Sequence, residues 1–186
     1  TQNKILNHCD NFVALSQFKN KALHNWLTTQ TLKDHSYQRL ELIIEQQKTL
    51  NFSIIPINNE HYPSQLKTIN DPPLILYCLG QYQLLKQRQI ALVGSRKASE
   101  YALTQTKTFA QALGHHEFTI TSGLAMGIDT AAHEGAIENN SQTIAVLGTG
   151  IDTIYPKRNK HLAADILQKN NLIISEYAPG TPGEAW

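Results

Sequence analysis

The sequence predicts an α/β fold: a mostly parallel sheet with helices on both faces, preceded by a small all-helical domain over residues 1–50. Three observations carry this reading. After Ile90 a β-rich apolar run, a small-residue loop and a helix-like segment follow one another three times. A fourth apolar run, Leu172 to Ser175, closes the series. The first fifty residues, in contrast, have helical spacing and no glycine.

In chain order, Ile5, Phe12, Leu15 and Phe18, then Leu23, Trp26 and Leu27, then Leu40, Ile43 and Ile44 mark short helices, with Trp26 as a core residue. Residues 51–186 form the second domain. It opens with a strand at Phe52 to Pro56. His61-Tyr62-Pro63 leads to Asp71-Pro72-Pro73, an extended break because a residue before proline is pushed out of the helical region. Leu74 to Leu79 reads as a strand closed by Gly80. The three repeats follow. Ile90–Val93 leads through Gly94–Ser99 to a helix over Tyr101–Leu113; Phe118–Thr121 leads through Ser122–Gly127 to a helix over Ile128–Glu138. Thr143–Leu147 leads through Gly148–Arg158 to a helix over Asn159–Gln168. Continuous apolar strands alternating with helices imply a sheet buried on both faces. Ligands of such sheets sit beyond the carboxyl ends of the strands, where all three loops fall.

Composition narrows the function. The chain has 186 residues, 41% of them hydrophobic and 17% charged, and a formal net charge of +1. A protein that holds nucleic acid by bulk electrostatics is strongly basic. From Ile90 to Trp186 there are seven Lys or Arg against nine Asp or Glu, a net of −2. Any polyanion is therefore held by local geometry. Cys9 and Cys78 are isolated, which suggests neither a disulfide framework nor a cysteine metal site. The eight histidines are scattered, and no metal is expected. No apolar run is long enough to cross a bilayer and no secretory signal opens the chain, so membrane insertion is not expected and a reduced, cytoplasmic protein is. The absent initiator Met and the end just after a Pro/Gly-rich turn suggest a fragment at both ends.

The first loop, Gly94-Ser95-Arg96-Lys97-Ala98-Ser99, carries the clearest chemistry. Backbone N–H groups at a strand-to-helix turn attract anions, Ser95 and Ser99 donate or cap, Arg96 forks onto phosphate oxygens and Lys97 adds a point charge. A nicotinamide site is excluded, because its fingerprint wants three glycines here and an acid after the next strand, which instead ends Thr121-Ser122-Gly123. No cofactor is expected. In the second loop, Ser122, Gly123 and Gly127 allow close approach to a ligand or a neighbouring strand. Asp129 and His133 share a helix face, as a general base, two metal ligands or supports of the loop. No third ligand or nucleophile accompanies them, so they are read as structural support. The third loop offers Gly148, Thr149 and Gly150, followed by Tyr155, Lys157, Arg158 and Asn159. Cations beside a tyrosine suit a nucleic-acid strand, with phosphates on the charges and a base on the ring.

Together, GSRKAS, TSGLAMGIDTAAH, TIAVLGTGIDTIYPKRN and LIISEYAPGTP, in this order, resemble the DprA/Smf family of bacterial DNA-processing proteins. The resemblance runs from about Ile54 to Trp186. It implies an extended Rossmann-like domain that binds single-stranded DNA, truncated at its C-terminus here, after a partial SAM-like helical domain. It also implies a non-enzymatic homodimer that protects incoming strands in natural transformation and assists loading of the RecA recombinase. Carried onto this chain, the phosphate contacts are Gly94, Ser95, Arg96, Lys97, Ser122, Gly123, Gly148 to Gly150 and Lys157. Met126 stands where the family commonly has Arg. The alternative is a nucleotide hydrolase of the nucleoside-monophosphate phosphoribohydrolase type, but its Pro-Gly-Gly-x-Gly-Thr segment is absent.

Overall fold

In the computed structural model of the chain, the described residues are 34–183. The helices expected before residue 34, with Trp26 among them, lie outside that range. The chain divides into two units between Glu45 and Gln46, and all six described strands belong to the second. Helix α1 spans Asp34–Leu50.

Two antiparallel strands come first, β1 (Ser53–Pro56) and β2 (Ile75–Gly80), paired with Ile55 opposite Leu76. Between them the buried Tyr62 donates its hydroxyl to the Pro73 carbonyl at 2.6 Å, which pins the proline break against the sheet. A 3-10 turn at Tyr82–Lys86, unmarked by any periodic signal, buries Leu84 and Leu85. The repeating part follows: β3 (Gln89–Ala91), α2 (Glu100–His115), β4 (Thr119–Ser122), α3 (Ile128–Glu138), β5 (Thr143–Leu147), α4 (Lys160–Gln168) and β6 (Leu172–Ser175). Strand β3 is shorter than the apolar run predicts. The strand ends at Ala91, although Leu92 still donates its N–H to the Thr121 carbonyl at 3.0 Å; Val93 is exposed.

The six strands lie in the order β1-β2-β6-β5-β4-β3; β3 to β6 are mutually parallel and β2 joins β6 antiparallel. This is a Rossmann-like, largely parallel sheet. Its order also places the connecting helices. Parallel crossovers are right-handed, so strands laid down in a single direction put every connecting helix on the same face. Helices α2, α3 and α4 accordingly pack in succession, α2 on α3 and α3 on α4. Val146, on the central strand β5 and facing the other side, is 40% exposed.

Under the helices, Ile120 meets Ala110, Ala132 and Ala136 at essentially zero exposure. Small residues let α2 and α3 approach closely; a methyl group on Gly135 would sit 2.7 Å from the Lys107 carbonyl oxygen. Helices α2, α3 and α4 end the same way. Phe118, Ser141 and Asn171 donate their N–H groups to carbonyls five residues back, Leu113, Ala136 and Ile166, while Glu117, Asn140 and Asn170 donate to those three back. These are Schellman closures, and their left-handed residues are Glu117 (φ 61), Asn140 (φ 53) and Asn170 (φ 55) rather than glycine. The turn they make feeds the chain directly into β4, β5 and β6.

Candidate nucleic-acid interface

All three glycine loops meet at the carboxyl ends of the parallel strands. The first is fixed by its own serines. Ser95 Oγ accepts from the Lys97 N–H at 3.1 Å, and Ser99 Oγ accepts from the Ala102 N–H at 3.3 Å, capping α2. Gly94 to Lys97 are exposed.

The second loop is pressed against the first. Ile128 donates its N–H to the Ser95 carbonyl at 3.2 Å. Gly127 has φ 77, and a methyl group there would lie 2.2 Å from the same carbonyl oxygen, so only glycine allows this contact. Ser122 is buried and donates its hydroxyl to the Leu92 carbonyl at 2.6 Å, tying β4 to the start of the first loop. Asp129 is buried as well. Its Oδ2 accepts from the N–H groups of Gly123 at 3.2 Å and Ala125 at 3.3 Å, which bends the loop around the carboxylate.

His133 does not join Asp129. It is fully buried one turn on, with Nδ1 2.7 Å from Thr143 Oγ1. Because that hydroxyl gives its hydrogen to the Ile120 carbonyl at 2.8 Å, Nδ1 is the donor to Thr143. Nε2 then carries a lone pair and makes no hydrogen bond. Burial pulls the imidazole down to about 4, and the Ser122 backbone, ready to accept from a protonated ring, offsets this only in part.

The third loop is clasped by the segment after β6. Ser175 donates its hydroxyl to the Thr149 carbonyl, Gly150 donates to the Thr181 carbonyl at 2.9 Å, and both Asp152 oxygens accept from the Gly180 N–H at 2.9 and 3.0 Å. Thr149 is buried, and its hydroxyl donates to the Thr153 carbonyl. Gly148 is exposed, with nothing within 4 Å of where a methyl group would be. Asn159 needs correcting as a candidate ligand. It is buried, and its amide donates to the Leu124 carbonyl at 2.9 Å, the Ala125 carbonyl at 3.3 Å and Thr130 Oγ1 at 3.0 Å, so it braces the second loop.

What opens to solvent is a cavity of about 260 Å³ walled by Arg96, Gly123, Met126, Asp129, Gly148 and Tyr155. Lys157 and Arg158 are exposed and Lys97 lies on the first loop; none of the three forms an ion pair with a described residue. Arg158 rests its Nη1 on Met126 Sδ at 3.3 Å, bridging the second and third loops. Sequence reasoning left Met126 and Asp152 out of the site. Tyr155 had a signal, its place before the cations; Asp152 had none, because its partner Gly180 is 28 residues away. Among the described residues no cluster of acids, histidines and cysteines is suited to a metal.

A largely parallel sheet with three glycine loops gathered at the carboxyl ends of its strands defines a Rossmann-like α/β protein. The chain belongs to the DNA recombination-mediator protein A family, the DprA/Smf proteins, whose profile matches residues 53–186. It is 45% identical over 136 residues to the DNA processing protein DprA of Streptococcus pneumoniae, covering 73% of this chain and 46% of that protein. It is 40% identical over 136 residues to the Smf protein of Escherichia coli, covering 73% and 36%. The chain thus spans about half the length of these relatives, or less. An X-ray structure of the pneumococcal protein superposes with a TM-score of 0.68 at 34% identity, over 96% of this chain and 62% of the other. The Helicobacter pylori protein, which binds single-stranded DNA, superposes at 0.64 and 31% identity, over 73% and 60%.

Proposed function

We propose that this chain is a non-enzymatic module that binds single-stranded DNA through its sugar-phosphate backbone at the glycine-loop edge. The supporting observation is the meeting of three loops around one cavity, with Lys97, Lys157 and Arg158 free of carboxylate partners among the described residues. Phosphate contacts fall to the backbone of Gly94 to Lys97, Gly123 and Gly148, and to the side chains of Ser95, Arg96, Lys97, Lys157 and Arg158. Ser99, Ser122, Gly127, Thr149, Gly150, Asn159 and Asp129 hold the loops in place. Tyr155, 48% exposed at the cavity, offers a ring on which a base stacks.

In the intact protein this module serves DNA processing in natural transformation. It shields incoming strands as a homodimer in the cytoplasm and presents them to RecA. The family membership and the single-stranded DNA binding of the H. pylori protein support this reading.

The test is fluorescence anisotropy of a labelled oligothymidylate with the intact protein. Arg96→Ala combined with Lys97→Ala weakens binding by about tenfold or more on every sequence and lowers the salt slope by about two, one for each lost phosphate contact. Unchanged affinity and slope reject the loop. Release of free base from a nucleoside monophosphate, abolished by Asp129→Asn, points instead to a hydrolase.

A further inference from the structure

At the opposite end of the sheet, where β4, β5 and β6 begin, lies a cleft that the glycine loops do not reach. We propose that this cleft binds a nucleobase. Its inner part is a cavity of about 350 Å³ bordered by Gln81, Gln83, Gln87, Gln142, Asn170 and Asn171. Through Gln87 and Gln142 it continues into a second cavity of about 580 Å³, bordered by Arg88 and Phe118. These volumes are those of small-molecule sites.

The chemistry of the wall selects the ligand. A primary amide offers two donor hydrogens and an acceptor oxygen, and the side chains of Gln81, Gln83, Gln87, Gln142 and Asn170 are hydrogen-bonded to no described residue. Asn171 is the strongest pointer. It lines the cavity and is only 2% exposed, its Oδ1 accepts from the Thr143 N–H at 2.8 Å, and its Nδ2 donates to no described residue. That nitrogen is not sealed from solvent, so its hydrogens are available to an acceptor in the cavity.

Charge argues against an ionic ligand. Among the described residues the inner cavity has no carboxylate, and Lys169, the one cation there, donates to Asn140 Oδ1 at 3.1 Å. What fits is a neutral molecule with several hydrogen-bonding edges, and amides pair with base edges two bonds at a time. Leu84 and Ile137 add apolar surface. The guanidinium of Arg88 lies 4.2 Å from the centre of the Phe118 ring, and Arg88 is exposed, which leaves its other face open. Bases stack on such planes.

The test uses free nucleosides, which lack the phosphate that the glycine loops hold, and reads the amides of this cleft directly, so that a base stacked on Tyr155 is not mistaken for one bound here. Deoxyadenosine is titrated into the intact protein with nitrogen-15-labelled side-chain amides, in parallel with glucose and inorganic phosphate. Deoxyadenosine alone is expected to shift the Gln87, Gln142 and Asn171 amide resonances. Gln87→Leu with Gln142→Leu is expected to weaken it about tenfold, the worth of one bidentate amide-base pair. Both positions are exposed, so the melting temperature stays unchanged, and Arg96→Ala leaves nucleoside binding intact. Amide resonances that do not move, an equal response to glucose, or full affinity in the double variant would each overturn the proposal.

Discussion

Among the described residues, acidification should act most strongly through His133. Its ring is wholly buried, its Nδ1 hydrogen goes to Thr143, and a second hydrogen on Nε2 would put a charge inside the core. The folded chain therefore takes up that proton only near pH 4, whereas an unfolded chain takes it up near pH 6.5. Stability is full above about pH 7 and falls as the pH drops through that window, because there the unfolded state binds the proton and the folded state does not. The whole interval corresponds to about 3 kcal/mol, of which about 2 kcal/mol is lost by pH 5. That is a large part of the 5–15 kcal/mol typical of a domain, roughly stated. The assay is urea unfolding at pH 7.5 and pH 5.0, for the parent and for His133→Asn, whose amide keeps a donor toward Thr143. The variant should be less stable at pH 7.5 yet lose about 2 kcal/mol less on acidification. If both proteins lose stability equally between the two pH values, His133 is not the buried proton acceptor described here.

Other expectations follow from the same geometry. Gly127→Ala forces a methyl group into the Ser95 carbonyl at positive φ, so it should cost about 2 kcal/mol or more and abolish oligonucleotide binding, whereas Gly148→Ala should leave the melting temperature unchanged. Glu117→Gly relieves a left-handed glutamate and should add about 1 kcal/mol in denaturant melts, with a smaller gain for Asn140→Gly because asparagine tolerates that conformation. Asn159→Ala removes the brace on the Leu124 and Ala125 carbonyls and should cost about 2 kcal/mol, lowering binding and melting temperature together. Lys157→Ala, at an exposed cation, should lower oligonucleotide affinity in anisotropy titrations without moving the melting temperature.

The elements were largely legible. The runs TIAVL and LIIS are β5 and β6 residue for residue, and α3 spans Ile128–Glu138 as its spacing predicts. Where the prediction slipped, tertiary contacts decided. Leu92 and Val93 read as strand, but the ladder ends at Ala91: the Ser122 hydroxyl takes the Leu92 carbonyl, and beyond it Gly94 turns to pack on Ile128. The 3-10 turn at Tyr82–Lys86 sits in a stretch where glutamines break the apolar rhythm, so no period announced it. In the site, residue type alone could not separate a ligand from a brace. Ser122 and Asn159 carry the same polar groups as Ser95 and Gln142, and only burial shows that their hydrogens go to backbone carbonyls.

By itself the sequence determined the α/β class, the strand-loop-helix repeat and the gathering of glycine loops at the strand ends, because hydrophobic period and glycine placement are local and survive in one dimension. The tertiary structure decided which face the helices cover, which polar side chains are used up inside the loops, and which remain for a ligand. Those outcomes depend on strand order and on partners up to 35 residues apart, such as Asn159 with Leu124. No spacing rule encodes them; they arise only when the sheet brings distant loops into hydrogen-bonding distance.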